Sequence, residues 1–93
     1  MLIVAFTTGT EFNPHVRSTV CVFRNRSQMK KNKPFYTGLE PLSISARNVA
    51  SMVQAQGENQ VEIDFRGYLP ENSRGVVLGP FRRRKISVKY HQG

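Results

Sequence analysis

Short apolar runs recur along the chain, and turn-forming residues separate them. Runs that are rich in Val, Ile and Phe, or that alternate apolar with polar positions, predict β-strands. The third of these runs contains Pro34, which limits it to a sheet edge or a strand start because proline cannot donate to the ladder. The predicted strands comprise residues 2–8, 16–24, 33–40, 60–68, 74–78 and 85–90.

Residues 44–56 form the one segment with convincing helical periodicity. Its apolar residues recur at a spacing of about 3.6 and define one buried stripe. Ser43 or Ser45 can cap the N-terminus by accepting from a free backbone N–H, and Gly57 supplies a left-handed stop. The stripe consists of Ala46, Val49, Ala50 and Val53.

The resulting order is three strands, a helix and two or three further strands, in a chain of 93 residues that has room for a single domain. This is the order of an OB-type barrel, whose helix between strands three and four closes one end. Residues 16–24 suit a curled sheet because both of their faces are partly apolar. We therefore expect an α+β fold, mostly β: a small five- to six-stranded barrel or curled antiparallel sheet with one helix. An SH3-like or other irregular α+β fold stays open.

The charge pattern adds a functional expectation, because the formal net charge is +8. Residues 17–33 and 74–89 contain no acid and hold six cations each. Clustered cations favour a polyanionic partner such as nucleic acid, and a solvated surface is the alternative. Glu62 and Asp64 lie between the two blocks and point the same way, so we expect them to face the basic blocks across the sheet. No apolar run is long enough to span a bilayer.

Aromatic residues lie in or beside both basic blocks, and loops between barrel strands are where OB-type proteins hold single strands. Strand alternation places Phe35 on the wet face as a stacking platform and Tyr36 in the core or at its rim; the alternative is a solvated hairpin with Phe35 in the core. Residues 31–37 resemble the basic, proline-aromatic hairpin of filamentous-phage single-strand DNA-binding proteins, although the helix at 44–56 has no place in that fold. The aromatics are Phe23, Phe35, Tyr36, Phe81 and Tyr90.

The densest charge run is residues 82–85. In a strand, its adjacent guanidiniums must point to alternating faces, so at least one heads for the core unless an anion compensates it. A phosphate backbone is a natural compensator, and a solvated loop after Gly79 and Pro80 is the alternative. The predicted nucleic-acid-binding residues are Arg17, Arg24, Arg26, Lys30, Lys31, Lys33, Phe35, Tyr36, Arg82, Arg83, Arg84, Lys85 and Lys89.

Metal or redox chemistry has little support in the sequence. His15, Cys21 and His91 are scattered, whereas structural zinc needs four such ligands in paired short spacings. A single cysteine fits a reducing cytoplasm, and we expect it to be a buried strand residue. His91 beside Tyr90 is the one arrangement that points to catalysis, since metal-independent ribonucleases use such groups. A frayed C-terminal tail is the favoured alternative.

These patterns lead to one functional hypothesis and two alternatives. The hypothesis is a small, non-enzymatic protein that binds single-stranded DNA or RNA with low sequence specificity. Its helix has only Arg47 as a cation, whereas specific duplex readout uses a basic recognition helix. The alternatives are a small metal-independent ribonuclease of toxin type, and a phage or viral assembly protein with a basic genome-facing surface. We expect a cytoplasmic location, no cofactor and no membrane partner, and a homodimer or higher oligomer stays open.

Overall fold

The structure is a computed structural model that describes residues 1–6, 13–67 and 74–92. The described residues form five strands and three helices, which confirms an α+β chain dominated by strands. In chain order these elements are β1 (Leu2–Phe6), β2 (Arg17–Phe23), α1 (Arg26–Lys30), β3 (Tyr36–Pro41), α2 (Leu42–Ala55), β4 (Gln60–Arg66), α3 (Arg74–Arg83) and β5 (Ser87–Gln92).

The five strands form one open, mixed sheet with the order β3-β2-β1-β4-β5. The first three strands pair antiparallel, whereas β4 is parallel to β1 and β5 is parallel to β4. Parallel neighbours need crossover connections, and α2 and α3 supply them. The predicted barrel is therefore wrong because β3 and β5 lie at opposite edges, and the parallel pairs also exclude an all-antiparallel curled sheet. The OB-like arrangement is not reproduced.

The main core lies between the sheet and the pair α2–α3, on what we call the helix face. The buried apolar residues of β4 alternate as predicted, with Val61, Ile63 and Phe65 all on this face. β2 contributes Val20 and Val22 to the same core. Regular alternation in β2 and β4 thus fixes which side of the sheet the long helices cover.

α2 lies between β3 and β4 and begins at Leu42 rather than at residue 44. Ser43 and Ser45 lie inside the helix, and Pro41 occupies the N-cap without a side-chain hydrogen bond, so the predicted serine cap is wrong. Gly57, with φ of 73°, follows the helix in the left-handed conformation that the sequence predicts. The apolar stripe packs on the sheet through Ala46, Val49, Ala50 and Val53.

α3 replaces the short strand predicted at residues 74–78. Gly79 and Pro80 are poor helix formers, so the local pattern favoured a break. Val77 and Phe81 lie four residues apart, on one side of the helix, and both are fully buried in the main core. Burial of each side chain stabilises the fold by about 1.5–3 kcal/mol. This tertiary packing outweighs the poor helix propensity of Gly79 and Pro80.

α1 forms where the sequence predicted an exposed loop. The Asn25 side chain accepts a hydrogen bond of 2.9 Å from the Gln28 backbone N–H and so caps the first turn. Met29 then packs on a small cluster beneath the helix, on the side of the sheet that we call the α1 face. This cluster consists of Leu2, Val4, Phe23 and the half-buried Cys21.

Candidate nucleic-acid interface

The sheet topology brings parts of both basic blocks to the same end of the molecule. Phe23 at the end of β2 pairs with Leu2 at the start of β1, and Ser87 at the start of β5 pairs with Gln60 at the start of β4. The β2–β3 and α3–β5 connections therefore leave the sheet at one end, roughly 14 Å apart across three strand spacings. We call this the basic end, and its cations are Arg24, Lys30, Lys31, Lys33, Arg82, Arg83, Arg84 and Lys85, all exposed.

The acidic side chains that the structure describes do not neutralise the cations of the basic end. Among the described residues, no carboxylate lies within 4.0 Å of a cation of the basic end. Glu58 is exposed in the turn that leads into β4, and Glu62 contacts Arg26 and His91 instead. The positive potential at the basic end is thus available to an external anion.

Two of the predicted aromatics are exposed beside the basic end. Phe35 is 45% exposed and lies 4.6 Å below the Arg24 guanidinium, so it is not a core residue. Tyr36 is 46% exposed, which places it at the rim rather than in the core. Phe23 and Phe81 are buried and offer no stacking surface. Phe35 and Tyr36 are therefore the predicted aromatics whose rings a base can reach at this end.

The Tyr36 ring is held along its own strand. Its hydroxyl donates a hydrogen bond to the Glu40 carboxylate, and this bond is the main reason that the pKa of Tyr36 rises above its ordinary value of 10.0. Loss of hydration and the negative charge of Glu40 act in the same direction. Gly38 lies under the ring, where a Cβ atom would collide with the Tyr36 hydroxyl. The strand therefore needs glycine at this position for the ring to lie flat.

The charge run at residues 82–85 lies at the end of α3 and in the turn that follows it, not in a strand. Arg82 and Arg83 lie in the last turn of α3, where cations interact favourably with the helix dipole. The Arg84 guanidinium donates to the Gln54 side-chain oxygen of α2. Lys85 has φ of 57° and turns the chain into β5. Since these residues do not alternate across a strand, none of their charges has to enter the core.

A pocket of about 300 Å³ extends the second block along the groove between α2 and α3. Its lining includes Arg47 and His15 as well as Arg83 and Arg84, with no acidic residue among the described lining residues. The predicted nucleic-acid-binding residues do not include Arg47 or His15. Arg47 lies four residues after Ser43 on the α2 side that faces this groove, but only the packing of α3 against α2 brings it to the arginines.

On the α1 face, Arg26 is bound to acidic residues inside the protein. Its Nε donates to Glu62 Oε2 at 3.0 Å, and its Nη1 lies 3.7 Å from Asp64 Oδ2. Arg66 flanks the buried Asp64 at 3.4 Å. Glu62 and Asp64 thus face a basic residue of the first block, as predicted. His91 lies 3.2 Å from Glu62 within β5, so it does not belong to a frayed tail.

The two remaining predicted site residues lie apart from the basic end. Arg17 is the first residue of β2 and pairs with Pro41, at the opposite end of the sheet. Lys89 lies in β5 beside Glu62 in the sheet register. Both side chains are exposed. The structure therefore groups eight predicted cations and places Arg17 and Lys89 away from them, whereas Arg26 is bound to Glu62 and Asp64.

Other chemistry finds no further support in the described residues. Among them, no three His, Cys, Asp or Glu side chains are arranged to hold a metal ion. Cys21 is half-buried on β2, less buried than expected, and its Sγ lies 3.8 Å from the Thr37 hydroxyl. The helices of the described part of the chain are too short or too polar to cross a membrane.

The chain matches no protein family model and no curated protein. Its function must therefore be inferred from the arrangement of its own residues.

Proposed function

We propose that this protein binds single-stranded DNA or RNA with low sequence specificity, chiefly through the basic end. The observation that supports the proposal most is the convergence of two basic segments, far apart in sequence, at one end of the sheet. Each Lys or Arg that meets a phosphate releases condensed counterions, which favours binding without reading sequence. An aromatic beside such cations adds stacking that every base can use.

Single strands suit this surface better than a duplex does. The exposed side of α2 has Arg47 as its one cation, and Arg82 and Arg83 lie only in the last turn of α3. Neither arrangement gives the row of base-reading residues that a recognition helix places in the major groove. Exposed cations on connections, with the exposed ring of Phe35 beside Arg24, instead suit a flexible backbone with unstacked bases.

The test is a titration of labelled single-stranded DNA, single-stranded RNA and duplex DNA at two salt concentrations, followed by a gel that checks strand integrity. We expect the single strands to bind more tightly than the duplex, with affinity that falls steeply as salt rises. The strands should remain intact. Failure to bind any of the three at low salt would contradict the proposal.

The contact between His91 and Glu62 favours a second candidate function, metal-independent cleavage of RNA. His91 Nε2 and Glu62 Oε2 are 3.2 Å apart, and Arg26 binds the same carboxylate. A histidine, a carboxylate and a guanidinium can move a proton and stabilise phosphorane charge together. RNA cleavage that persists in a chelator and disappears in His91→Gln would establish this activity. Intact RNA after prolonged incubation would exclude it.

A further inference from the structure

The pocket of about 300 Å³ between α2 and α3 is a concave part of the basic surface. Its described walls come from α2, from the C-terminal half of α3 with the residue that follows it, and from His15 in the segment before β2. An apolar cavity of roughly 150 Å³ holds a benzene ring, which has more heavy atoms than a phosphate group. A pocket of twice that volume therefore has room for a phosphate group and part of the sugar attached to it.

The wall on the α3 side stays open at Gly79. No heavy atom lies within 4 Å of the position that a Cβ atom would take at this residue. Any larger residue would therefore place its side chain in open space on the wall of the pocket. The lack of a side chain at Gly79 leaves that space to a ligand.

Three arginines line the pocket, and no acid accompanies them among the described lining residues. Arg47 comes from α2, whereas Arg83 and Arg84 come from the end of α3 and the turn after it. No carboxylate that the structure describes lies within 4.0 Å of these three side chains. Guanidiniums around one cavity repel each other, and a bound anion lowers that repulsion.

The Arg84 guanidinium is held in place beside the pocket. One of its N–H groups donates to the Gln54 side-chain oxygen of α2, and its remaining N–H groups can donate to another partner. The backbone N–H of Arg84 donates to Phe81 O at 3.2 Å, which fixes the turn after α3. Guanidiniums bind phosphate oxygens in pairs, so a positioned arginine suits a phosphate group better than a mobile lysine does.

The charge and the shape of the pocket favour the end of a strand over an internal phosphate. An internal phosphodiester has a single negative charge, whereas a terminal phosphate has a charge of about −1.5 to −2 at pH 7 and three strong acceptor oxygens. An internal phosphate also needs room for the chain to enter and to leave. Since elements on several sides wall this pocket, a strand end, which needs only an entry, fits it better.

We propose that this pocket binds the terminal phosphate of a single strand. The inference rests on the proposed function and deepens it by adding the strand end to the ligand. Arg47, Arg83 and Arg84 donate to the phosphate oxygens. Because Arg83 and Arg84 belong to the pocket and to the basic end, a strand that ends in the pocket can continue across the basic end. A 5′ phosphate and a 3′ phosphate share this chemistry, and the experiment distinguishes them.

The experiment uses internally labelled DNA strands of about twelve nucleotides with a phosphate at the 5′ end, at the 3′ end or at neither end. An unphosphorylated strand that is one nucleotide longer has as many phosphate groups as the phosphorylated strands, so it controls for their number. At least one phosphorylated strand should bind the wild type about ten-fold more tightly than this longer strand, because hydrogen bonds between charged groups are strong. The end that gives the higher affinity identifies the phosphate that the pocket takes.

Arg47 separates the pocket from general attraction by charge. Arg47→Gln should remove most of the preference for a terminal phosphate, and the melting temperature should stay nearly the same because Arg47 is exposed. Arg47→Lys keeps the charge but lacks the planar guanidinium. It should therefore lower the preference while the salt dependence for the unphosphorylated strand stays the same. Arg17→Gln is the matched control, since this exposed arginine lies at the other end of the sheet from the basic end, and it should leave the preference unchanged.

The outcomes distinguish the two proposals. Equal, salt-dependent binding of the phosphorylated strands and the longer strand by the wild type would overturn the pocket proposal and leave the proposed function standing. A preference for a terminal phosphate that survives in both Arg47→Gln and Arg47→Lys would also overturn it. If no strand binds at low salt, the proposed function itself fails.

Discussion

At the scale of single residues, the cations of this protein differ in what they contact. Arg26 binds Glu62 and Asp64 within the protein, whereas Lys30 and Lys31 face solvent four to five residues later. Asp64 is 5% exposed and lies near the guanidiniums of Arg26 and Arg66. A shared sign of charge therefore does not give these residues a shared role.

Replacing Arg26 should affect stability more than binding. Arg26→Gln removes one of the two groups that contact Glu62 and one of the two guanidiniums near Asp64. We expect a loss of roughly 1–3 kcal/mol in the free energy of unfolding. The salt dependence of strand binding should barely change. Denaturant titrations and binding titrations measure the two effects. Lys30→Gln is the matched control, and it should weaken strand binding while leaving the free energy of unfolding nearly unchanged. A strong loss of binding with unchanged stability would show that Arg26 contacts the ligand directly.

Phe35 tests the stacking contribution. Because its ring is 45% exposed, Phe35→Ala should leave the melting temperature nearly unchanged. A base stacked on such a ring contributes about 1–3 kcal/mol, so single-strand affinity should fall several-fold. Leu39→Ala is the control, since Leu39 is 66% exposed on the same edge strand, away from the basic end. Equal binding by the wild type and Phe35→Ala would rule out stacking on this ring.

The Tyr36 phenol gives a pH-dependent signal. Its pKa lies above 10.0, chiefly because its hydroxyl donates to Glu40. The bond therefore stabilises the folded state below pH 10.0, and this contribution is lost as the pH rises through the raised pKa. A phenolate absorbance titration of the wild type, with Tyr36→Phe subtracted, should show this late ionisation, and Glu40→Ala should shift it toward 10.0. Ionisation of Tyr36 at or below 10.0 in the wild type would mean that the bond is absent in solution.

At the scale of elements, α3 owes its helical form to packing. Phe81 is fully buried in the main core, so Phe81→Ala should lower the free energy of unfolding by about 3–5 kcal/mol. Denaturant unfolding measures the change, and the exposed neighbour Arg82→Ala should alter stability far less. A loss below about 1 kcal/mol for Phe81→Ala would mean that α3 does not cover the sheet.

Strand β4 and helix α3 differ in how well the sequence alone predicts them. Strand β4 is predictable because Val61, Ile63 and Phe65 keep a strict period of two on one buried face. α3 is not predictable in this way, because Gly79 and Pro80 disfavour a helix locally. Contacts with α2 and the sheet, which lie far away in the sequence, outweigh that tendency. Parallel pairing of β4 with β1 likewise depends on partners that no local pattern reveals. The basic blocks could be found from the sequence, but the neutralisation of Arg26 and the approach of Arg47 to α3 could not.

At the scale of the whole molecule, the sheet topology places an acidic pair on the α1 face and two groups of cations at the basic end. The acidic pair on the α1 face is compensated by Arg26 and Arg66, whereas the cations of the basic end have no described acidic neighbour. Two segments with net charge of the same sign lie at one end of a small domain and repel each other. A bound polyanion would remove that repulsion, which is the physical reason to expect binding there.

The most direct test measures the slope of log affinity against log salt for a single strand. Lys30→Gln with Lys31→Gln, and Arg82→Gln with Arg83→Gln, each remove two charges from one block. Each pair should lower the slope by about 1.4, at about 0.7 for each lost phosphate contact, and the two effects should add in the quadruple variant. Arg17→Gln, at the opposite end of the sheet, should leave the slope unchanged. Binding through the basic end would be contradicted if Arg17→Gln lowered the slope as much as each charge removed there does. It would also be contradicted if only one of the two paired variants changed the slope.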